Sequence, residues 1–190
     1  MWKHLAVLTC CLGLAAGCIS GPAGQQGQRT REQRVADEFG RMAPDIAVKE
    51  SMPSQPQPAY VLVDEDRAGD GRVRSLWATN PGQTLSRCYY LDTERDGQFV
   101  HGAGGCGGGG DQGRTVTLNG AVADLVGDVG AWPASSVSIS GGGLEATVPV
   151  KNGYFLVPVR VTTAGARTYD VRLLDNGSKV IGEAADVKAP

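Results

Sequence analysis

From Ala59 onward, apolar and polar residues alternate with a period of two, the spacing of strands that bury one face. Tyr60-Val61-Leu62-Val63, Val73-Arg74-Ser75-Leu76-Trp77, Cys88-Tyr89-Tyr90-Leu91, Gln98-Phe99-Val100 and Thr115-Val116-Thr117-Leu118 each predict a strand. The C-terminal third alternates most cleanly, at Val137-Ser138-Ile139, Glu145-Ala146-Thr147-Val148, Phe155-Leu156-Val157-Pro158-Val159 and Tyr169-Asp170-Val171-Arg172-Leu173. Asp70-Gly71, Asp96-Gly97, Asn119-Gly120, Asn152-Gly153 and Asn176-Gly177 punctuate these runs. Such pairs supply the positive φ that tight hairpins require. Pro158 lacks an N–H for a ladder, which places its strand at an edge or a bulge. No long helical pattern separates the strands, so the chain does not read as parallel βαβ units. The expected fold is all-β: one antiparallel β-sandwich over residues 59–190.

Before Ala59 the pattern changes. Gly21-Pro22-Ala23-Gly24-Gln25-Gln26-Gly27 and Met52-Pro53-Ser54-Gln55-Pro56-Gln57-Pro58 are poor in apolar residues and rich in chain breakers. They cannot bury enough surface to offset ordering entropy, so residues 18–58 read as a flexible tether. Within it, Thr30 and Gln33 form a capping-box pattern, followed by Val35, Phe39 and Met42 at helical spacing. This predicts a short amphipathic helix from about Arg31 to Met42. Isolated helices of that length are marginal. A helix packed loosely on the domain, or frayed, is therefore expected over one that docks on a partner or a membrane surface.

The formal charge of −2 offers no basic field for nucleic acid or anionic lipid. Glycine is abundant, at 28 residues, which suits turns and opposes long helices. Beyond the N-terminal region only Cys88 and Cys106 remain, an even pair that predicts a disulfide in an oxidising compartment. Closing that loop is worth about 3 kcal/mol in a chain-entropy model. The rival reading is a reactive Cys106 with His101 as its base, but the three glycines between them offer no rigid element to hold the pair in register.

The N-terminus carries a processing signal. Lys3 precedes an apolar run from Leu5 to Ala16, which ends in Leu14-Ala15-Ala16-Gly17-Cys18. The run is shorter than the ~20 residues of a membrane span. Its end resembles the lipobox of bacterial lipoproteins, where a peptidase cuts before a lipid-bearing cysteine. The resemblance implies a signal peptide at 1–17, lipidation of Cys18 and attachment to the extracytoplasmic face of the cell membrane. An ordinary secretory signal cut near Ala16 is the alternative.

A second resemblance covers Val148 to Gly182. Val148-Pro149-Val150, Asn152-Gly153, Tyr154-Phe155-Leu156-Val157, Gly165 and Tyr169-Asp170-Val171 follow one another like the closing hairpins of bacterial immunoglobulin-like or carboxypeptidase-regulatory-like modules. It implies an immunoglobulin-like sandwich of the kind that serves as spacer or binding platform.

Candidate chemistry is sparse. Asp92, Glu94 and Asp96 alternate before Gly97 as calcium-loop ligands do, but Ala103 stands where the far-end glutamate belongs. A solvated hairpin tip is the competing and preferred reading. Asp64-Glu65-Asp66 with Asp70-Gly71 is a second acidic turn, with Ala68 in place of a ligand. Gly102-Ala103-Gly104-Gly105-Cys106-Gly107 matches dinucleotide-binding spacing, yet the further glycines after it cannot start the helix that motif needs. It reads as a flexible or backbone-packed loop beside the disulfide. Past the signal region His101 is the one histidine, so a multi-histidine zinc site is excluded. Trp132 and Tyr89 are the aromatic candidates for ligand contact, Trp77 the expected core tryptophan and Trp132 the expected exposed one.

These features predict no catalytic residue, metal or cofactor. The expected protein is a non-enzymatic envelope lipoprotein that meets an envelope protein or glycan as an interaction or structural module. A carbohydrate or peptide hydrolase using a carboxylate pair is one alternative, and a calcium-dependent adhesion module another.

Overall fold

A computed structural model describes residues 29–50, 60–79, 87–107, 113–121 and 123–190, with side chains described up to Met42 in the first segment. The signal peptide, Cys18 and the proline-rich stretch at 52–58 lie outside these residues.

Helix α1 (Arg31–Glu50) begins where the capping box predicts. The Thr30 N–H donates to Gln33 Oε1 at 2.9 Å and the Gln33 N–H to Thr30 Oγ1 at 3.3 Å. Strands β1 (Tyr60–Arg67), β2 (Arg72–Thr79), β3 (Arg87–Arg95) and β4 (Gln98–Gly107) form an antiparallel meander in that order. β5 (Thr117–Asn119), β6 (Val126–Asp128) and β9 (Tyr154–Leu156) make a three-stranded sheet. β7 (Ser136–Gly141), β8 (Leu144–Pro149), β10 (Thr168–Leu174) and β11 (Val180–Lys188) form a third, in the order β11-β10-β7-β8. The protein is mostly β, and its sheets are antiparallel.

The short sheet is the middle layer, because both of its faces are apolar. Val126, Tyr154 and Leu156 pack with Val63, Leu76, Ala78 and Leu91 of the first sheet. Phe155, on the opposite face, joins Leu118, Leu125, Val137, Ile139, Val171 and Leu173 of the larger core. Gly127 makes this possible. A Cβ there would lie 1.9 Å from Phe155 Cζ, so the ring occupies the space a side chain would fill.

A fourth layer is α1 itself. Val35 and Phe39 are fully buried against Cys88 and Tyr90, and Phe39 stacks on Tyr60 with centroids 4.9 Å apart. The expectation of a loosely held helix is therefore corrected. Its apolar stripe finds a sheet face to cover, and burial of that stripe supplies what helix propensity alone lacks.

Three other expectations change. The glycine run is not a loop: it is the second half of β4, paired with β3 from Cys88↔Cys106 to Asp92↔Gly102. Gly102 is required there, since a Cβ would sit 2.0 Å from the Tyr90 hydroxyl. Pro158 interrupts no strand. β9 stops at Leu156, and Pro158 precedes the single helical turn α2 (Val159–Thr162), where a fixed φ of −60° and a missing N–H cost nothing. Trp77 is half-buried, edge-on to Tyr60 at 6.1 Å, and belongs to the cluster under α1.

Candidate functional site

The acidic alternation of β3 is answered by arginines. Asp92 and Glu94 point to the helix side of the sheet, and α1 delivers Arg31 and Arg34 one turn apart above them. Arg34 holds the fully buried Asp92 through both oxygens, at 2.8 and 2.9 Å, and reaches Glu94 at 2.5 Å. Arg31 bridges Glu94 at 2.5 Å and Glu65 at 2.7 Å. Asp96 takes no part. It sits in the β3–β4 turn at φ 52°, its carboxylate against Gly71. Asp92, Glu94 and Asp96 therefore do not converge on a common point. Asp92 and Glu94 are the anchor for α1, and Asp96 is a turn residue. Of the second acidic turn, Glu65 joins this network, Asp66 pairs with Arg74, and Asp70 pairs with Arg72 at 2.8 Å.

The electrostatics follow the geometry. Hydrogen bonding from Arg31, reinforced by Arg34, outweighs burial and holds the Glu94 carboxyl below the usual range. For Glu65, burial pushes upward, but Arg67 and Arg31 together bring the net shift down. Tyr90, under the same helix, is pushed up to about 12 by burial and by the neighbouring Asp92.

Cys88 and Cys106 are joined as a cross-strand disulfide, S–S 2.09 Å, with Cys88 buried under α1 and Cys106 exposed. His101 is not its neighbour in function. The imidazole Nε2 lies 2.9 Å from Asp124 Oδ2 on the β5–β6 connection. That contact ties β4 to the loop entering β6, with His101 about half exposed. Thr93, the cross-strand partner of His101, is buried and unavailable to a substrate. Among the described residues, no three His, Cys, Asp or Glu side chains are grouped to hold a metal ion.

The aromatic candidates are far apart in role. Tyr89 faces the core between the first two sheets, packed on Tyr154 at 5.3 Å. Trp132 instead borders an open groove of about 680 Å³. Its ring lies over Gly182 of β11, where a Cβ would fall 2.6 Å from Cη2, and Arg114 stands 5.0 Å from the ring centre. The groove runs between Arg114–Asn119 and Glu183–Lys188, with buried Leu118 at its base. β5 and β11 are both terminal strands of their sheets. Trp132 is half-buried, more enclosed than an exposed tryptophan is expected to be.

Sequence reasoning overlooked β11, Arg114 and Lys188. Ile181, Ala184 and Val187 face the core, but a bulge between Tyr169 and Val171 with Asp186 at φ 54° breaks the two-residue period. The Arg31/Arg34 pair was legible as charge at helical spacing, three residues apart, had the acidic strand been considered as its target.

Among known protein families none matches this chain, and no curated protein resembles it.

Proposed function

We propose that this protein is a non-enzymatic lipoprotein of the cell envelope, an interaction module carried on the outer face of a membrane by a lipid on Cys18. The observation that carries the reading is the commitment of its reactive side chains to architecture. The carboxylates of β3 are spent on α1, the thiols on each other, and His101 on Asp124. A catalytic carboxylate pair or a calcium site would need such groups to converge on open space. The open groove beside Trp132 instead offers sheet edges, an aromatic ring and two cations with no carboxylate partner among the described residues, which suits contact more than turnover. The immunoglobulin-like sandwich, expected over residues 59–190, would be confined to the strands from β5 to β11. Two antiparallel sheets enclosing the Phe155 core support that assignment.

The docked helix bears on how the module is presented. Cys18 and Arg29 are eleven residues apart, so the lipid and the folded body are separated by at most about 40 Å of chain. The module would work close to the bilayer.

Two measurements test the reading. Cys18→Ser is expected to abolish metabolic labelling by a fatty acid and to accumulate uncut precursor. A mature N-terminus at any other residue removes the lipoprotein assignment. Stable retention would rest on more than one acyl chain, since a single chain binds a membrane only marginally. The purified protein is further expected to show no turnover of peptidoglycan fragments, peptides or glycans, with or without EDTA. Activity above a denatured control would replace the module by the hydrolase.

A further inference from the structure

The groove beside Trp132 has walls of an unusual kind. Each is the terminal strand of a sheet, β5 on one side and β11 on the other, and no described backbone hydrogen bond joins them. A terminal strand presents N–H and C=O groups on its outer side, a template for another extended chain. Here residues of two such strands line one opening. One wall runs from Arg114 to Asn119, with β5 over its last three residues, room for an extended peptide of about six residues at a strand's rise of ~3.3 Å each.

The polar lining narrows the ligand further. Arg114 and Lys188 both line the groove, and neither has a carboxylate partner among the described residues; Glu183 is the one acidic side chain that lines it. Among the described residues the lining is thus net cationic. The Arg114 guanidinium stands over the Trp132 ring, and no carboxylate among the described residues engages it. A sugar is less well served. Stacking needs a bare aromatic face, and the Trp132 ring is covered by Gly182 and attended by Arg114.

We propose that this groove binds an extended peptide carrying acidic side chains, which adds as a strand to the edge of β5 or β11. Backbone pairing supplies affinity, and Arg114 and Lys188 select for Asp or Glu. The inference rests on the reading of the protein as an interaction module and names the partner class of that module.

The experiment uses the full-length protein, immobilised and panned against a displayed library of random linear dodecapeptides. Enriched peptides are then synthesised and titrated by calorimetry. They are expected to alternate apolar and polar residues and to contain Asp or Glu. Arg114→Glu and Lys188→Glu, both at exposed positions that leave the core untouched, should each weaken binding about tenfold or more. Arg41→Glu, on the far layer, should leave it unchanged. Bound peptide should slow amide exchange in β5 or β11. Failure to enrich any peptide overturns the proposal, as does binding indifferent to both charge reversals. Preferential binding of a neutral oligosaccharide that is lost in Trp132→Ala also overturns it. None of these outcomes touches the turnover and acylation tests, so the module reading can stand while the groove assignment falls, and the reverse.

Discussion

Replacing Arg74 by methionine should cost about 3–5 kcal/mol of stability, the range for stranding one member of a buried charged network. Arg74 is fully buried between the first sheet and the loops around β6 and β9. Its guanidinium pairs with Asp66 and donates to the carbonyls of Ala123 and Val157, each at 2.7 Å. Asp66 in turn accepts from the Val159 N–H at 2.9 Å. One side chain therefore ties β1, β2, the β5–β6 loop and the start of α2. Methionine fills similar volume but leaves two carbonyls without their donor and the half-shielded Asp66 carboxylate without its counter-charge. The urea midpoint should fall steeply while m stays constant. A domain of this size loses about 2–4 °C of melting temperature per kcal/mol, so a drop of about 6–20 °C is expected. Asp66→Asn in the same chain should recover part of the loss, because it removes the stranded charge. A loss below about 1 kcal/mol would mean the layers hold together by apolar contact alone.

Arg34→Ala should release α1 from the sheet while the three sheets stay folded. The substitution leaves Asp92 fully buried with its bidentate partner gone, and Arg31 Nε is 3.9 Å away. About 3 kcal/mol is expected, concentrated on docking of the helix. Amides of residues 31–42 should then exchange rapidly, and Tyr90 and Phe39 should become accessible. Global protection in β7 and β10 should persist. Acid should produce the same release. The Glu94 carboxyl is held below its ordinary value by Arg31 and Arg34, and that of Glu65 by Arg67 first and Arg31 second, each against the upward push of burial. A depressed carboxyl contributes stability that is complete above its unfolded value and is lost as pH falls through the folded one. Docking should therefore be constant near neutral pH and weaken below the usual carboxylate range. Rapid exchange of α1 at neutral pH in the unaltered protein, or pH-independent docking down to full protonation, would contradict the ionic account.

The acidic stretch of β3 shows how local pattern misleads about chemistry. Asp92 and Glu94 at alternate positions share one face of β3, which is what a cation loop and an ion-paired strand both require. Whether a metal or an arginine answers them depends on what the opposite layer presents. That layer is a helix 58 to 63 residues earlier in the chain, and no spacing within 92–97 encodes it. Gly102 to Gly107 misleads in the same way. Glycine removes the side-chain evidence of a strand, and here it does so because Tyr90 and Met42 occupy the space above Gly102 and Gly104.

The turn dipeptides were legible because their cause is local. Gly71, Gly97, Gly120 and Gly153 take positive φ as their positions require, and Asp96 and Asn152 join them. Asn176-Gly177 is the exception. There the positive φ falls on Ser178, while Asp175 accepts from the N–H groups of Gly177 and Lys179 and sets the turn one residue later.

Sequence alone determined the strand-rich character, most hairpin turns, the start of α1 and the pairing of Cys88 with Cys106. Each follows from steric preference, two-residue or helical periodicity, or simple availability, and none needs a distant partner. Tertiary structure alone decided that α1 is a layer of the fold, that the β3 carboxylates belong to arginines, and that two sheet edges leave a groove beside Trp132. These outcomes depend on which faces meet, and the meeting faces lie tens of residues apart, so no window of the chain contains both halves of the contact.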